Sequence, residues 1–127
     1  MTKLDRLIHA IASFEGWIPA GQAPNEIGSL SWRNHNPGNL RKSPFEIANK
    51  EGFSIFSTDQ EGMFALKWDI SQKAKGKTVT KLTGESTLRD LIFVYAPPVE
   101  GNEPEKYLEA VLTMTGFSET MKLREFI

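Results

Sequence analysis

The apolar residues of the chain recur with helical spacing, and capping residues precede several of the helical segments. The first predicted helix runs from about Lys3 to Phe14, with Thr2 as N-cap and Asp5 three residues further on, as in a capping box. Its apolar stripe consists of Leu4, Leu7, Ile8 and Ile11. Gly16 offers a stop for this helix.

Four further helices are predicted from the same kinds of signal. Thr58 and Glu61 form a second capping box, for a helix that reaches about Lys73. Thr87 and Asp90 mark the next start, and Pro97-Pro98 ends that helix. The remaining two are expected from Pro104 to the stop at Gly116, and at about 119–126.

The segment between the first two helices has a different pattern. Phe53-Ser54-Ile55 alternates like a short strand, and Leu40 to Lys42 is the predicted second arm of a hairpin. Before it, 17–45 is rich in Pro, Gly, Asn and Ser but too apolar for disorder, which predicts an ordered functional loop. The expected class is mainly α (α+β): one domain over 1–127 with about five helices and a small β-hairpin.

Composition narrows the function classes. The 127 residues suit one domain, and the absence of Cys excludes disulfides, thiolate catalysis and Cys-ligated zinc. A net charge of −1 gives no attraction to nucleic acid or anionic membranes. No stretch has transmembrane length, and Met1–Ser13 lacks the apolar core of a signal peptide. We therefore expect no nucleic-acid partner, no membrane insertion and no signal peptide.

Glu15 is a charged residue in a position where apolar residues are expected. Helical geometry carries it into the middle of the apolar stripe of the first helix, with Phe14 and Trp17 beside it. Burial raises the pKa expected for such a carboxyl group, so that it can hold a proton near neutral pH and deliver it to a leaving oxygen. The alternative is an ordinary helix-terminal Glu, paired with Arg33 or Arg41 or reaching water.

The densest polar cluster of the chain is the segment 33–41, with the sequence RNHNPGNLR. Pro37-Gly38 predicts a tight turn, with Gly38 free to take positive φ. Such a turn presents Asn36 and Asn39, whose amides suit sugar hydroxyls and N-acetyl groups. Turn formation alone explains the same residues, so both interpretations stay open at this point.

These motifs together resemble a phage-associated branch of the lysozyme-like superfamily. The resemblance rests on Glu15-Gly16-Trp17, then on 33–40, and then on Gly52-Phe53-Ser54-Ile55-Phe56. That branch carries an R-N-N-N-P-G-N-[LI]-R signature after an E-G motif. Further similar positions are Thr58, Gly62, Ala65, Leu66, 87–90, 95–98, Tyr107, Ala110, Val111 and 115–116. The match covers nearly the whole chain in the family's order.

The resemblance implies a lysozyme-like fold and cleavage of the bond between N-acetylmuramic acid and N-acetylglucosamine, with Glu15 as acid/base. It implies that Asn36–Asn39 line the cleft and that Tyr95 corresponds to the tyrosine near the acid/base of lytic transglycosylases. His35 departs from the signature and is expected on the loop surface. The aromatic residues that could stack on sugar faces are Trp17, Trp32, Phe45, Phe53 and Trp68. Most of them are expected in the core, Trp68 included, and Trp32 is the expected sugar contact. The predicted substrate contacts are Trp32, Asn36, Gly38, Asn39 and Tyr95.

Two mechanisms stay open. A second carboxylate facing Glu15 would indicate hydrolysis, and the candidates are Glu26, Glu46, Glu51 and Asp59. Without one, a lytic transglycosylase route needs only Glu15. The alternative from another class is a non-catalytic virion or cell-wall structural protein that binds glycan on the same fold.

The expected partners follow from these two alternatives. They are peptidoglycan glycan strands and other virion proteins, with the chain acting as a monomer and without metal or cofactor. The expected place of action is the cell wall, reached within a phage particle or through a membrane pore.

Overall fold

The computed structural model of the chain describes residues 1–17, 30–98 and 101–127. Within these ranges five α-helices, one two-stranded antiparallel sheet and one 3-10 helix follow each other. Their bounds are α1 Lys3–Phe14, α2 Leu30–Arg33, β1 Ala48–Lys50, β2 Phe53–Ile55, α3 Asp59–Ala74, α4 Leu88–Tyr95, α5 Pro104–Thr115 and the 3-10 helix Leu123–Phe126. The predicted mainly α (α+β) class with a small hairpin is confirmed.

The predicted helix boundaries are set by local capping bonds. At α1, the Asp5 N–H donates to Thr2 Oγ1 and the Thr2 N–H donates to Asp5 Oδ2, both at 3.1 Å. Thr87 and Asp90 form the same reciprocal pair at α4. These bonds satisfy N–H groups that have no partner within the first helical turn.

Two helical predictions need correction. The four-residue α2 falls inside the segment predicted as an irregular loop. The last predicted helix, at about 119–126, is only the 3-10 turn Leu123–Phe126.

The hairpin forms, but the predicted partner of β2 was wrong. β2 pairs with Ala48–Lys50 rather than with Leu40–Lys42, in the register Ala48↔Ile55, Asn49↔Ser54 and Lys50↔Phe53. The connecting residues Glu51 and Gly52 have φ of 55° and 84°, as the tight turns of two-residue hairpins require. All of β1 is exposed, so no apolar alternation marks it in the sequence. Leu40 makes one bond to β2, accepting from the Ser54 N–H at 2.9 Å.

The described residues divide into two compact units. The first unit comprises Met1–Ala10 and Ile70–Ile127, and the second comprises Ile11–Asp69. The first unit's core is aliphatic and includes Leu7, Leu88, Leu91, Ile92, Leu108, Val111 and Leu123, all at most 2% exposed. In this unit the chain before α4 pairs with the chain before the 3-10 helix through the isolated bridge Thr87↔Lys122.

The second unit carries the hairpin and the predicted functional loop. Its buried apolar residues include Ile11, Ala12, Leu40, Phe56, Ala65 and Leu66. Buried polar residues are concentrated here as well, since Ser31, Asn34, Asn36, Ser43 and Ser54 are all buried. Buried polar groups need hydrogen-bond partners, so their bonds organise the loop. None of the helices in the described ranges is long and apolar enough to cross a bilayer.

Candidate functional site

Glu15 lies at the C-terminal end of α1, in the second unit. Its N–H donates to the carbonyl of Ile11 at 3.0 Å, which continues the helical pattern by one residue. Gly16, with φ of 86°, then ends the helix, and the Trp17 N–H donates back to the Ala12 carbonyl at 3.0 Å. The Glu15 side chain is half-buried. The helix end therefore fixes the backbone that carries this carboxyl group.

Ser31 connects this turn to the polar loop. Its Oγ donates to the carbonyl of Glu15 at 3.0 Å. Its own carbonyl accepts from the N–H of Asn36 at 2.8 Å. Ser31 itself is 1% exposed, so this link lies inside the second unit. It was not among the predicted site residues, because no pattern in the sequence links it to a residue sixteen positions earlier.

Asn36 is the centre of the loop. It is fully buried, and its Nδ2 donates to the carbonyls of Leu40 and Ser54 at 2.9 and 3.0 Å. Its Oδ1 accepts from the Leu40 N–H at 2.9 Å. Both ends of the amide are thus engaged with backbone, tying the loop to β2. In this structure the Asn36 side chain organises the loop rather than facing a ligand.

The backbone of the loop departs from the predicted turn. Gly38 is buried and does not take positive φ; the left-handed conformation falls on His35 and Asn39, with φ of 51° and 50°. Asn tolerates this region better than most residues do, and the Asn39 N–H donates to the Asn36 carbonyl at 2.9 Å. His35 Nδ1 lies 3.0 Å from Asp59 Oδ1, and its side chain is 48% exposed, as a surface position requires.

Three polar atoms of the second unit are shielded from solvent and have no hydrogen-bond partner among the described residues. They are Trp17 Nε1, Asn34 Nδ2 and Asn39 Oδ1, which are two donors and one acceptor. Leaving each of them unpaired costs about 1–3 kcal/mol. A ligand reaches them only when the groups that cover them move. Asn39 is a predicted substrate contact, Trp17 is predicted only as one of several aromatic residues that could stack on a sugar, and Asn34 is not predicted as a binding residue.

Of the four candidates for a second carboxylate, the structure describes Glu46, Glu51 and Asp59. Glu46 Oε1 accepts from Ser54 Oγ at 2.8 Å, from the Ser43 N–H at 3.1 Å and from Asn49 Nδ2 at 3.2 Å. These bonds, the one from Ser54 above all, hold the pKa of Glu46 below its ordinary value. Glu51 is exposed in the hairpin turn, Asp59 faces His35, and Glu26 lies outside the described residues.

The predicted site residues fall into two groups. Glu15, Trp32, Asn36, Gly38 and Asn39 belong to the second unit, where Trp32 is half-buried in α2. Tyr95 belongs to the first unit. It ends α4, and its ring lies 6.1 Å from that of Tyr107 and 5.8 Å from Lys73 Nζ.

The described residues hold no cluster of potential metal ligands, and one groove lies away from the predicted site residues. Across 1–17, 30–98 and 101–127, no three His, Cys, Asp or Glu side chains form a group able to hold a metal ion. A shallow groove of about 460 Å³ lies in the first unit, lined by Glu105, Leu108, Glu109, Leu112, Thr113 and Glu119. It contains none of the predicted site residues.

Comparison with known proteins adds no relative. No family model matches the chain, and neither a curated protein nor a solved structure matches it.

Proposed function

We propose that the protein is a peptidoglycan-degrading glycosidase that cleaves the β-1,4 bond between N-acetylmuramic acid and N-acetylglucosamine, with Glu15 as acid/base. The observation that carries the proposal is the position of Glu15 at the C-terminal end of the amphipathic helix α1, where it is half-buried and its carbonyl is bonded by Ser31 of the polar segment. The order of motifs that resembles the lysozyme-like superfamily supports the same reaction.

Two general effects of a position at a helix C-terminus favour the neutral form that a proton donor needs. The carbonyl groups at the C-terminus of a helix carry partial negative charge, which disfavours an ionised carboxyl group beside them. Partial burial acts in the same direction, because it removes water from the charged form. A neutral Glu15 can protonate the glycosidic oxygen as the C1–O bond breaks. Without that proton the leaving group would be an alkoxide, which leaves poorly.

The second step needs a base, and two routes differ in what supplies the nucleophile. In the lytic transglycosylase route, the Glu15 carboxylate takes the proton from the 6-hydroxyl of the muramyl residue, whose oxygen closes on C1 to give a 1,6-anhydro ring. In the muramidase route, water attacks C1 with help from a second carboxylate. The described candidates for that carboxylate are engaged or exposed: Glu46 holds three hydrogen bonds, Asp59 faces His35, and Glu51 lies in open solvent. We therefore favour the transglycosylase route.

The loop supplies a scaffold for substrate contacts. Asn36 fixes its backbone, and the half-buried residues Trp32 and Asn39 are the side chains that we propose contact the sugar, with Gly38 between the two asparagines. Trp17 and Asn34 each have an unpaired donor, which suits the C=O of an acetamido group, and Asn39 has an unpaired acceptor, which suits its N–H. Binding of that group would relieve unsatisfied polar atoms once their cover moves.

We propose that the chain acts as a monomer on glycan strands of the cell wall, carried in a phage particle or released through a membrane pore. The test is digestion of purified peptidoglycan with mass analysis of the soluble products. A 1,6-anhydro end supports the transglycosylase route, and a reducing end supports hydrolysis. Binding of peptidoglycan without any released product would contradict the proposal and favour a non-catalytic glycan-binding structural protein.

A further inference from the structure

An aromatic surface cluster is formed by two residues of α3 and one residue that precedes the hairpin, none of them assigned to the site. Its members are Phe45, Phe64 and Trp68. The Phe45 ring meets Phe64 edge-on at 5.1 Å and Trp68 edge-on at 5.2 Å between ring centroids. Phe64 is 54% exposed and Trp68 is 37% exposed, although Trp68 was expected to be packed.

The position of the cluster on α3 shows that it is not part of the core. Ala65, Leu66 and Ile70 are the buried apolar residues of this helix, each at most 1% exposed. Phe64 and Trp68 are four residues apart and so share a different face of the helix. The edge-on contact with Phe45 orders the rings at the surface without burying them. Ordered aromatic rings in contact with water indicate a binding surface more strongly than isolated apolar residues do.

We infer that the aromatic surface cluster binds the pyranose rings of a glycan strand, as a contact additional to the site around Glu15. The identity of the glycan, peptidoglycan, rests on the proposed function. A sugar ring presents C–H groups on its faces, and these pack against aromatic rings while its hydroxyls stay in water.

Size and charge select this occupant. Fully buried aromatic side chains contribute about 150–250 Å² each, so the exposed parts of Phe64 and Trp68 offer roughly 200 Å². A stable protein interface needs about 800 Å² from each partner. The second unit has seven acidic and five basic residues, a net charge of −2, which gives no attraction to nucleic acid or anionic lipid. A few uncharged sugar rings need only a small contact area and no attraction between charges, so they suit this surface.

The experiment measures binding to insoluble peptidoglycan sacculi by co-sedimentation. All variants carry Glu15→Gln, so that the polymer is not degraded while binding is measured. Trp68→Ala and Phe64→Ala should each raise the Kd by about tenfold, the loss expected when one stacking contact of about 1.4 kcal/mol is removed. Trp68→Phe keeps a ring and should retain most of the affinity. Val79→Ala is the matched control, because Val79 is a fully exposed apolar residue outside the cluster and should bind like the parent.

A second arm separates this inference from the proposed function. With Glu15 intact, Trp68→Ala should slow product release from sacculi and leave the rate on short soluble glycan fragments unchanged. Unchanged binding by both alanine variants, with product still released, would overturn the inference and leave the proposed function standing. Binding that depends on Trp68, without any released product, would support glycan binding by the aromatic surface cluster and contradict the proposed enzymatic activity. Loss of a wild-type dimer on Trp68→Ala would assign the cluster to self-association and overturn the inference.

Discussion

Gly62 of α3 lies against His35 so closely that a Cβ on Gly62 would stand 2.0 Å from the His35 carbonyl oxygen and 2.7 Å from Pro37 Cδ. No side chain larger than hydrogen fits there without movement of the loop backbone. The loop around Asn36 is thus held by two independent contacts, one with β2 through the Asn36 amide and one with α3 through Gly62.

Gly62→Ala is expected to destabilise the protein. Alanine in a helix interior normally stabilises by about 1 kcal/mol relative to glycine, so the sign of the effect is diagnostic. Here the clash with the His35 carbonyl should outweigh that gain and cost about 1–3 kcal/mol. Chemical denaturation of wild type and variant measures the difference. Gln60→Ala, at an exposed position of the same helix, is the control and should change stability little. A Gly62→Ala variant more stable than wild type would refute the close contact.

Asn36→Ala is expected to lower the free energy of unfolding by about 3 kcal/mol. The substitution leaves the Leu40 N–H, the Leu40 carbonyl and the Ser54 carbonyl without their side-chain partner in a buried place. Asn34→Ala is the matched control, since its Nδ2 has no partner among the described residues, and it should cost clearly less. Equal losses for the two variants would show that Asn36 does not organise the loop.

Features of this fold that depend on neighbouring residues can be predicted from the sequence, whereas contacts between distant residues cannot. The caps at Thr2, Thr87 and Gly116 are predicted because each depends on residues within a few positions. The strand that pairs with β2 cannot be predicted in this way, because all three residues of β1 are exposed and Glu51 is an unusual residue at positive φ.

The same distinction applies within the candidate site. Asn36 and Asn39 are marked by the motif, but the structural role of Asn36 depends on Ser54, eighteen residues away. The motif predicts positive φ at Gly38, but in the structure His35 and Asn39 have positive φ instead. Ser31 and the exposure of Trp68 depend on tertiary packing, which periodicity does not encode.

Glu46 should stabilise the hairpin in a pH-dependent way. Its folded-state pKa lies below the ordinary value of 4.5, chiefly through the bond from Ser54. The ionised group therefore stabilises the fold fully above about pH 5, and this contribution is lost as the pH falls through the folded-state pKa. The difference in stability between wild type and Glu46→Gln should thus be largest at neutral pH and shrink on acidification, as urea denaturation from pH 7 to pH 3 would measure. A difference independent of pH would contradict this role.

Tyr95→Phe separates a chemical role of the hydroxyl from packing. The ring contact with Tyr107 should survive the substitution. If the hydroxyl supports the reaction through one hydrogen bond, the rate of glycan cleavage should fall about tenfold. Tyr107→Phe, at the other ring of the same pair, should keep the wild-type rate. Full activity of Tyr95→Phe would contradict a role of the Tyr95 hydroxyl in the reaction.

Glu15→Gln tests the central claim most directly. The amide has nearly the same shape as the acid but cannot transfer the proton, and Glu46→Gln makes the same chemical change elsewhere in the second unit. The measurement is the rate of soluble muropeptide release from purified peptidoglycan by folded wild type and both variants. We expect Glu15→Gln to lose about 10²–10⁴-fold in rate and Glu46→Gln to stay near wild type. A Glu15→Gln variant that releases muropeptides at the wild-type rate would contradict the assignment of Glu15 as the acid/base.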